Sequence, residues 1–142
     1  MQLAEMRETA VRIAHEAGAI LHDGYGKPIE IEEKSSSYDW VTQYDKACEA
    51  LIVDRLTTVF PDHGIIGEEG TNRAGDGRYF WIIDPLDGTT NFAHRFPVFS
   101  VSIALYEETT PRIGVIFDPL RDECFIAAAD LGAELRTGDQ RT

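Results

Sequence analysis

Two aspartates, Asp84 and Asp87, stand three residues apart in the stretch WIIDPLDGTTNF, residues 81–92. They follow an apolar run and precede Gly88, Thr89 and Thr90. Pro85 fixes its own φ and biases Asp84 away from the helical region. A turn at this point would bring both carboxylates to one side. Two anions held together require a counter-charge, or one of them takes up a proton. No Lys or Arg adjoins them in the sequence, so a hard divalent cation is the expected partner. Magnesium takes oxygen ligands and completes its shell with water and phosphate oxygens. Gly88 lets a backbone approach closely. Where Thr89, Thr90 or Asn91 begins a short helix or tight turn, exposed amides attract an anion. Carboxylates for metal and amides for phosphate are the parts of metal-assisted phosphoester hydrolysis. The plainer alternative is a strand-end turn, since Asp-Gly is a common turn pair.

A second acidic cluster, GEEG with Glu68 and Glu69, precedes the first. If the strands before Glu68 and Asp84 are neighbours, these acids converge at one edge of a sheet. Glu68 would then share a metal with Asp84 and polarise a water. A third acid, Asp45, falls in the first turn of an expected helix. Other chemistries lack their signatures. The spacing is Asp-x-x-Asp, not the Asp-x-Asp-Gly-Thr of aspartate-nucleophile phosphatases, and on a strand one residue reverses the face a side chain occupies. An EF-hand loop starting at Asp84 would meet Leu86, Gly88 and Arg95 where it needs oxygen ligands. GYGKP lacks the spacing and hydroxyl of a P-loop, there is no G-x-S-x-G elbow, and the four histidines show no ligand spacing.

The elements that must position these residues follow from periodicity. Leu3, Met6, Ala10, Ile13, Ala17 and Ile20 recur at three and four, which predicts an amphipathic helix to about Leu21, stopped by Gly24, Gly26 and Pro28. IEIEE alternates as a short half-exposed strand. Thr42 is placed to cap a second helix with Asp45 three residues on, and Tyr44, Cys48, Leu51, Ile52, Leu56 and Val59 form its apolar face until Pro61. GIIGEEG predicts a strand and a loop, and TNRAGDG a mobile surface loop. YFWIID has almost no polar face, which predicts burial on both sides. VFSVSIALYEE, RIGVIFDP and ECFIAAA predict three consecutive antiparallel strands. The fold class expected is α+β, an antiparallel sheet with two helices packed on one face. TGDQ near the end predicts a hairpin turn without a return strand of useful length, which suggests that more protein belongs here.

Whole-chain properties narrow the function classes. The 142 residues suit one domain, and an apolar fraction of 43% supports a core. A formal net charge of −12, with basic residues scattered, disfavours nucleic acid and anionic membranes as partners. Cys48 and Cys124 lack the spacing of a zinc cage and are expected to be free thiols. No signal peptide or apolar span of ~18 residues is present, so a cytoplasmic protein is expected.

Together these motifs resemble a known family. WIIDPLDGTTNFAHRFPVFSVSIAL is similar to the signature of the inositol monophosphatase family, FPDHGIIGEEG to the segment before it, and DWVTQYDKACE to its early helix entry. The resemblance implies the N-terminal half of the layered fold of inositol monophosphatase, fructose bisphosphatase and related sugar phosphatases. It also implies a Mg2+-dependent, lithium-sensitive phosphomonoesterase, generally homodimeric, that converts a small phosphate ester such as inositol monophosphate by direct attack of metal-activated water. By the same resemblance Glu68, Asp84, Asp87 and the Leu86 carbonyl are metal ligands. Glu68, Thr89 and Asp45 are catalytic, with Thr89 paired to Asp45 to orient and deprotonate the water. Glu68, Leu86, Asp87, Gly88 and Thr89 contact substrate, and Lys34 matches a lysine near a third metal region. Residues 1–142 are thus read as the metal- and phosphate-binding domain, with the family's C-terminal domain absent. The family's later Trp-Asp-x-Ala-Ala-Gly segment, source of another metal-binding aspartate, has no counterpart. Hydrolysis by this chain alone is therefore expected to be weak or missing, and a non-catalytic metal- and phosphate-binding piece, or a phosphatase of another sugar or nucleotide phosphate, is the alternative.

Overall fold

A computed structural model describes residues 1–33, 40–138 and 140–142. In chain order the elements are α1 (Leu3–Gly24), β1 (Ile31–Glu33), β2 (Trp40–Thr42), α2 (Gln43–Val59), β3 (Gly64–Gly67), β4 (Asn72–Arg73) and β5 (Tyr79–Asp87). There follow α3 (Thr89–Ala93), β6 (Ser100–Glu107), β7 (Thr110–Asp118), β8 (Glu123–Ala128), β9 (Gly132–Thr137) and β10 (Gln140–Arg141). β1 and β2 form a separate antiparallel pair, and the other strands form one sheet in the order β10-β9-β8-β7-β6-β5-β3-β4.

The sheet is mixed, not wholly antiparallel. β4 takes the outer edge of β3, so β5 must line its inner edge running the same way, with Ile66 beside Ile82 and Gly67 beside Ile83. The expected loop at TNRAGDG contains this edge strand, held by Arg73 donating to the Pro61 carbonyl at 2.7 Å and by the Asp76 N–H on the Asp62 carbonyl at 2.9 Å. The TGDQ turn does have a return strand, the short β10, which pairs Gln140 with Thr137.

Both long helices lie on one face. α1 crosses β6, β7 and β8, and α2 crosses β5. Against them pack the alternate residues Trp81 and Ile83, Val101, Ile103 and Leu105, Ile113 and Val115, and Cys124 and Ile126, all buried. α1 runs on past Leu21 to Gly24, where the Tyr25 N–H caps the Leu21 carbonyl at 2.9 Å. Cys48 and Cys124 are both free and buried.

The other face of the sheet is open. Ile66, Ile82, Ile116 and Phe125 are exposed on it, so β5 is covered on one side only, contrary to the expectation for its unbroken apolar run. Next to these residues a shallow apolar groove of about 440 Å³ runs between Ile116, Phe125 and Leu135. Among the described residues, no helix is long and apolar enough to cross a membrane.

Candidate active site

The site begins with a defect in β5. Asp84 pairs with Ser102 and Asp87 with Ser100, so three steps along β5 oppose two along β6. That extra residue is a β-bulge, and Pro85, with no N–H to give the ladder, sits inside it. Without the bulge, residues three apart would point to opposite faces. With it, both aspartates oppose serines that share a face, and the two carboxylates come to the same side. The expected turn is thus a bulge within a continuing strand.

Glu68 joins them through the parallel pair. The register that sets Gly67 beside Ile83 continues one residue further, with the Glu68 N–H donating to the Ile83 carbonyl at 3.3 Å. Glu68 therefore stands next to Asp84 at the ends of two adjacent strands. The electrostatics show the crowding. Asp84 is pushed up to about 6, first by burial, then by the negative charges of Asp87 and Glu68, with a smaller push from Asp45. A hydrogen bond from the Leu86 N–H acts the other way.

Asp45 approaches from α2. It is 1% exposed and completes a reciprocal cap: its Oδ2 accepts from the Thr42 N–H at 2.8 Å and the Thr42 hydroxyl at 2.7 Å, while Thr42 Oγ1 accepts from the Tyr44 and Asp45 N–H groups. This cap is the one the sequence predicts. It leaves Oδ1 free of the cap, and the Thr89 hydroxyl reaches it at 2.8 Å. The same hydroxyl oxygen lies 3.1 Å from the Leu86 carbonyl.

Gly88 turns the chain from β5 into α3. Its φ of +98° is left-handed, and a Cβ there would lie 3.0 Å from the Val98 carbonyl oxygen. A non-glycine residue would be both strained and crowded. The five-residue α3 is anchored by buried Phe92, which meets Tyr44 of α2 at 5.3 Å and Phe99 edge-on at 5.0 Å between centroids. The Asn91 amide donates to the Val98 carbonyl at 2.8 Å, and the Tyr25 phenol to the Arg95 carbonyl at 2.6 Å, closing the loop after α3.

The structure therefore brings Glu68, Asp84 and Asp87 to neighbouring strand ends, with Thr89 held on Asp45 beside them. Lys34 lies outside the described residues. Among the described residues no three His, Cys, Asp or Glu side chains are gathered tightly enough to grip an ion as they stand. The donor set nevertheless fits a hard cation. It consists of oxygens alone, its mutual repulsion is what a cation relieves, and two of its members, Glu68 and Asp87, are exposed.

One residue escapes the sequence reading. Glu49, only 5% exposed, accepts from the Glu69 N–H at 2.8 Å, the Thr71 N–H at 3.2 Å and the Thr71 hydroxyl at 2.7 Å. Its position four residues after Asp45, on the same face of α2, was the available signal.

Acids thus stand at the ends of adjacent parallel strands, beside a capped helix and a left-handed glycine. The chain is a member of the inositol monophosphatase family, whose profile matches residues 2–141. It is 45% identical over 139 residues to inositol monophosphatase 2 of Solanum lycopersicum, covering 94% of this chain and 52% of that protein. It is 43% identical over 132 residues to the Nus factor SuhB of Escherichia coli, covering 92% of this chain and 49% of the relative. The crystal structure of the extragenic suppressor protein suhB from Bartonella henselae superimposes with a TM-score of 0.88 at 36% identity, over 96% of this chain and 53% of that one. The chain spans about half the length of the curated relatives it matches.

Proposed function

We propose that residues 1–142 form the metal- and phosphate-binding portion of a magnesium-dependent phosphomonoesterase of the cytoplasm, with inositol monophosphate as the first candidate substrate. The observation that carries this reading is the bulge in β5, which sets Asp84 and Asp87 on one side, next to Glu68 and within reach of the Asp45–Thr89 pair. The alternative of a simple Asp-Gly turn does not call for a half-buried carboxyl crowded by three others. A relative as similar as the phosphatases is called a Nus factor, so the reading rests on residues and not on relatives' names.

Glu68, Asp84, Asp87 and the Leu86 carbonyl would hold Mg2+. Bound there, the ion supplies charge neutralisation for the phosphoryl group and acidifies water. The protein's own residues do the rest. Thr89 commits its hydroxyl proton to Asp45 and so turns lone pairs toward the attacking water, accepting the water's proton as its own passes to Asp45. The Gly88 and Thr89 N–H groups steer the phosphoryl oxygens. Glu68 fixes the water on the face opposite the ester oxygen; as the water's oxygen bonds to phosphorus, the ester P–O bond breaks and the departing oxygen takes a proton from solvent water. A homodimer is the assembly proposed for the family's architecture.

Calorimetric titration of the chain with Mg2+, paired with phosphate release from inositol monophosphate, tests the proposal. Binding is expected in the native chain and is expected to vanish in Glu68→Gln and Asp84→Asn. Turnover separates a catalyst from a binding module. A native chain that takes up no Mg2+ would overturn both.

A further inference from the structure

The carboxylate of Glu49 closes a clasp over the loop that carries Glu68. One oxygen takes the Glu69 N–H and the other takes both the N–H and hydroxyl of Thr71. The loop is tightened from within by the Gly67 N–H on the Thr71 carbonyl at 2.8 Å and by the Gly70 N–H on the Gly67 carbonyl at 3.3 Å. Gly67 admits the clasp: a Cβ there would fall 2.5 Å from Glu49 Oε1 and 2.7 Å from its carboxyl carbon. Glu49 lies one helical turn beyond Asp45, so one face of α2 grips two loops. Asp45 holds Thr89 at the start of α3, and Glu49 holds Glu69 and Thr71, which follow Glu68. Buried charge-assisted bonds of this kind are among the stronger ones.

We infer that Glu49 is a positioning residue for the cation site: its clasp on Glu69 and Thr71 sets the backbone from which Glu68 reaches the ion. This rests on the proposed metal site and deepens it. Groups that orient metal ligands typically change metal affinity by about 10–100-fold when altered. Glu49→Gln keeps size and burial but replaces one acceptor with a donor that faces an N–H. Gly67→Ala leaves Glu49 in place and pushes its carboxylate off the loop by contact, which gives an independent route should Glu49→Gln fail to fold.

The test measures Mg2+ affinity by calorimetry and hydrogen exchange at the Glu69 and Thr71 amides, in the native chain, both variants and Glu68→Gln. Faster exchange at both amides together with an affinity loss of about 10–100-fold in Glu49→Gln and Gly67→Ala is the expected result. Faster exchange with native affinity would overturn the inference, since the clasp would then shape the loop without serving the ion. Unchanged exchange would overturn it also. If the native chain binds no better than Glu68→Gln, the metal site itself fails and the inference falls with it. Native binding lost in Glu68→Gln but retained in Glu49→Gln would reject Glu49 alone.

Discussion

At the scale of single residues, the Asp45–Thr89 hydrogen bond distinguishes a reactive arrangement from a group of surface acids. Thr89 is half-buried, and its hydroxyl meets a carboxylate whose other oxygen is already committed to the helix cap. In the proposed mechanism this hydroxyl relays a proton, and general-base contributions run to about 10²–10⁴-fold in rate. Thr89→Val, which keeps the shape and removes the hydroxyl, is therefore expected to lower any Mg2+-dependent phosphate release by at least about 10²-fold, while Thr89→Ser restores most of it. Steady-state assays with melting curves alongside would check this. A Thr89→Val chain with native turnover would remove Thr89 from the chemistry. That residues 45, 68, 84, 87 and 89 belong to one region was legible from the family resemblance and from the order of their motifs, and the structure places them at neighbouring strand and helix ends. Glu49 was not: its spacing from Asp45 marks a shared face of α2, but the partners that give it a role lie twenty or more residues away.

At the scale of elements, the site depends on how α2, β5 and α3 are fastened together. The capping box at Thr42 was readable from the Thr-x-x-Asp spacing, because a cap is satisfied by neighbours in sequence. The bulge at Pro85 was only half readable: proline announced an irregularity, but whether it made a turn or an extra residue depended on the register with β6. The parallel pairing of β3 with β5 depended likewise on which edge β4 took. Phe92 is the joint between α3 and α2, buried against Tyr44 and Phe99. Phe92→Ala is expected to destabilise the chain by about 3–5 kcal/mol, the usual result of emptying an aromatic core position. Thr42→Ala is expected to cost about 1 kcal/mol through loss of the cap. Urea unfolding measures both, and a smaller loss for Phe92→Ala than for Thr42→Ala would show that α3 is not fastened in this way.

At the scale of the whole molecule, α1 is tied to β9 by Arg136, which meets Glu8 through two bonds of 2.6 and 2.8 Å. The hydrogen bond to Arg136 and its charge hold the Glu8 carboxyl down to about 2, below its ordinary 4.5. A lowered acid contributes stability that is full above the unfolded value and is lost as pH falls through the folded one. Glu8→Gln is therefore expected to lower the urea midpoint modestly at neutral pH, since the Glu8 side chain is 45% exposed and its charge is screened. The difference should close between about 4.5 and 2; a difference that persists at pH 2 would contradict the linkage. The open face of the sheet is the other feature visible only at this scale. The apolar run of β5 gave no hint that Ile82 is left exposed, since a sequence does not say how many layers cover a strand. On the proposed function, strand ends brought together by one bulge and one parallel pairing hold a hard cation opposite the Asp45–Thr89 pair. A crystal of the chain grown with Mn2+, which suits the same oxygen ligands as Mg2+, tests it through the metal's anomalous signal. The expected result is a peak bounded by the carboxylates of Glu68, Asp84 and Asp87. Those side chains found swung apart around solvent, with the Mn2+ signal elsewhere or missing, would contradict it.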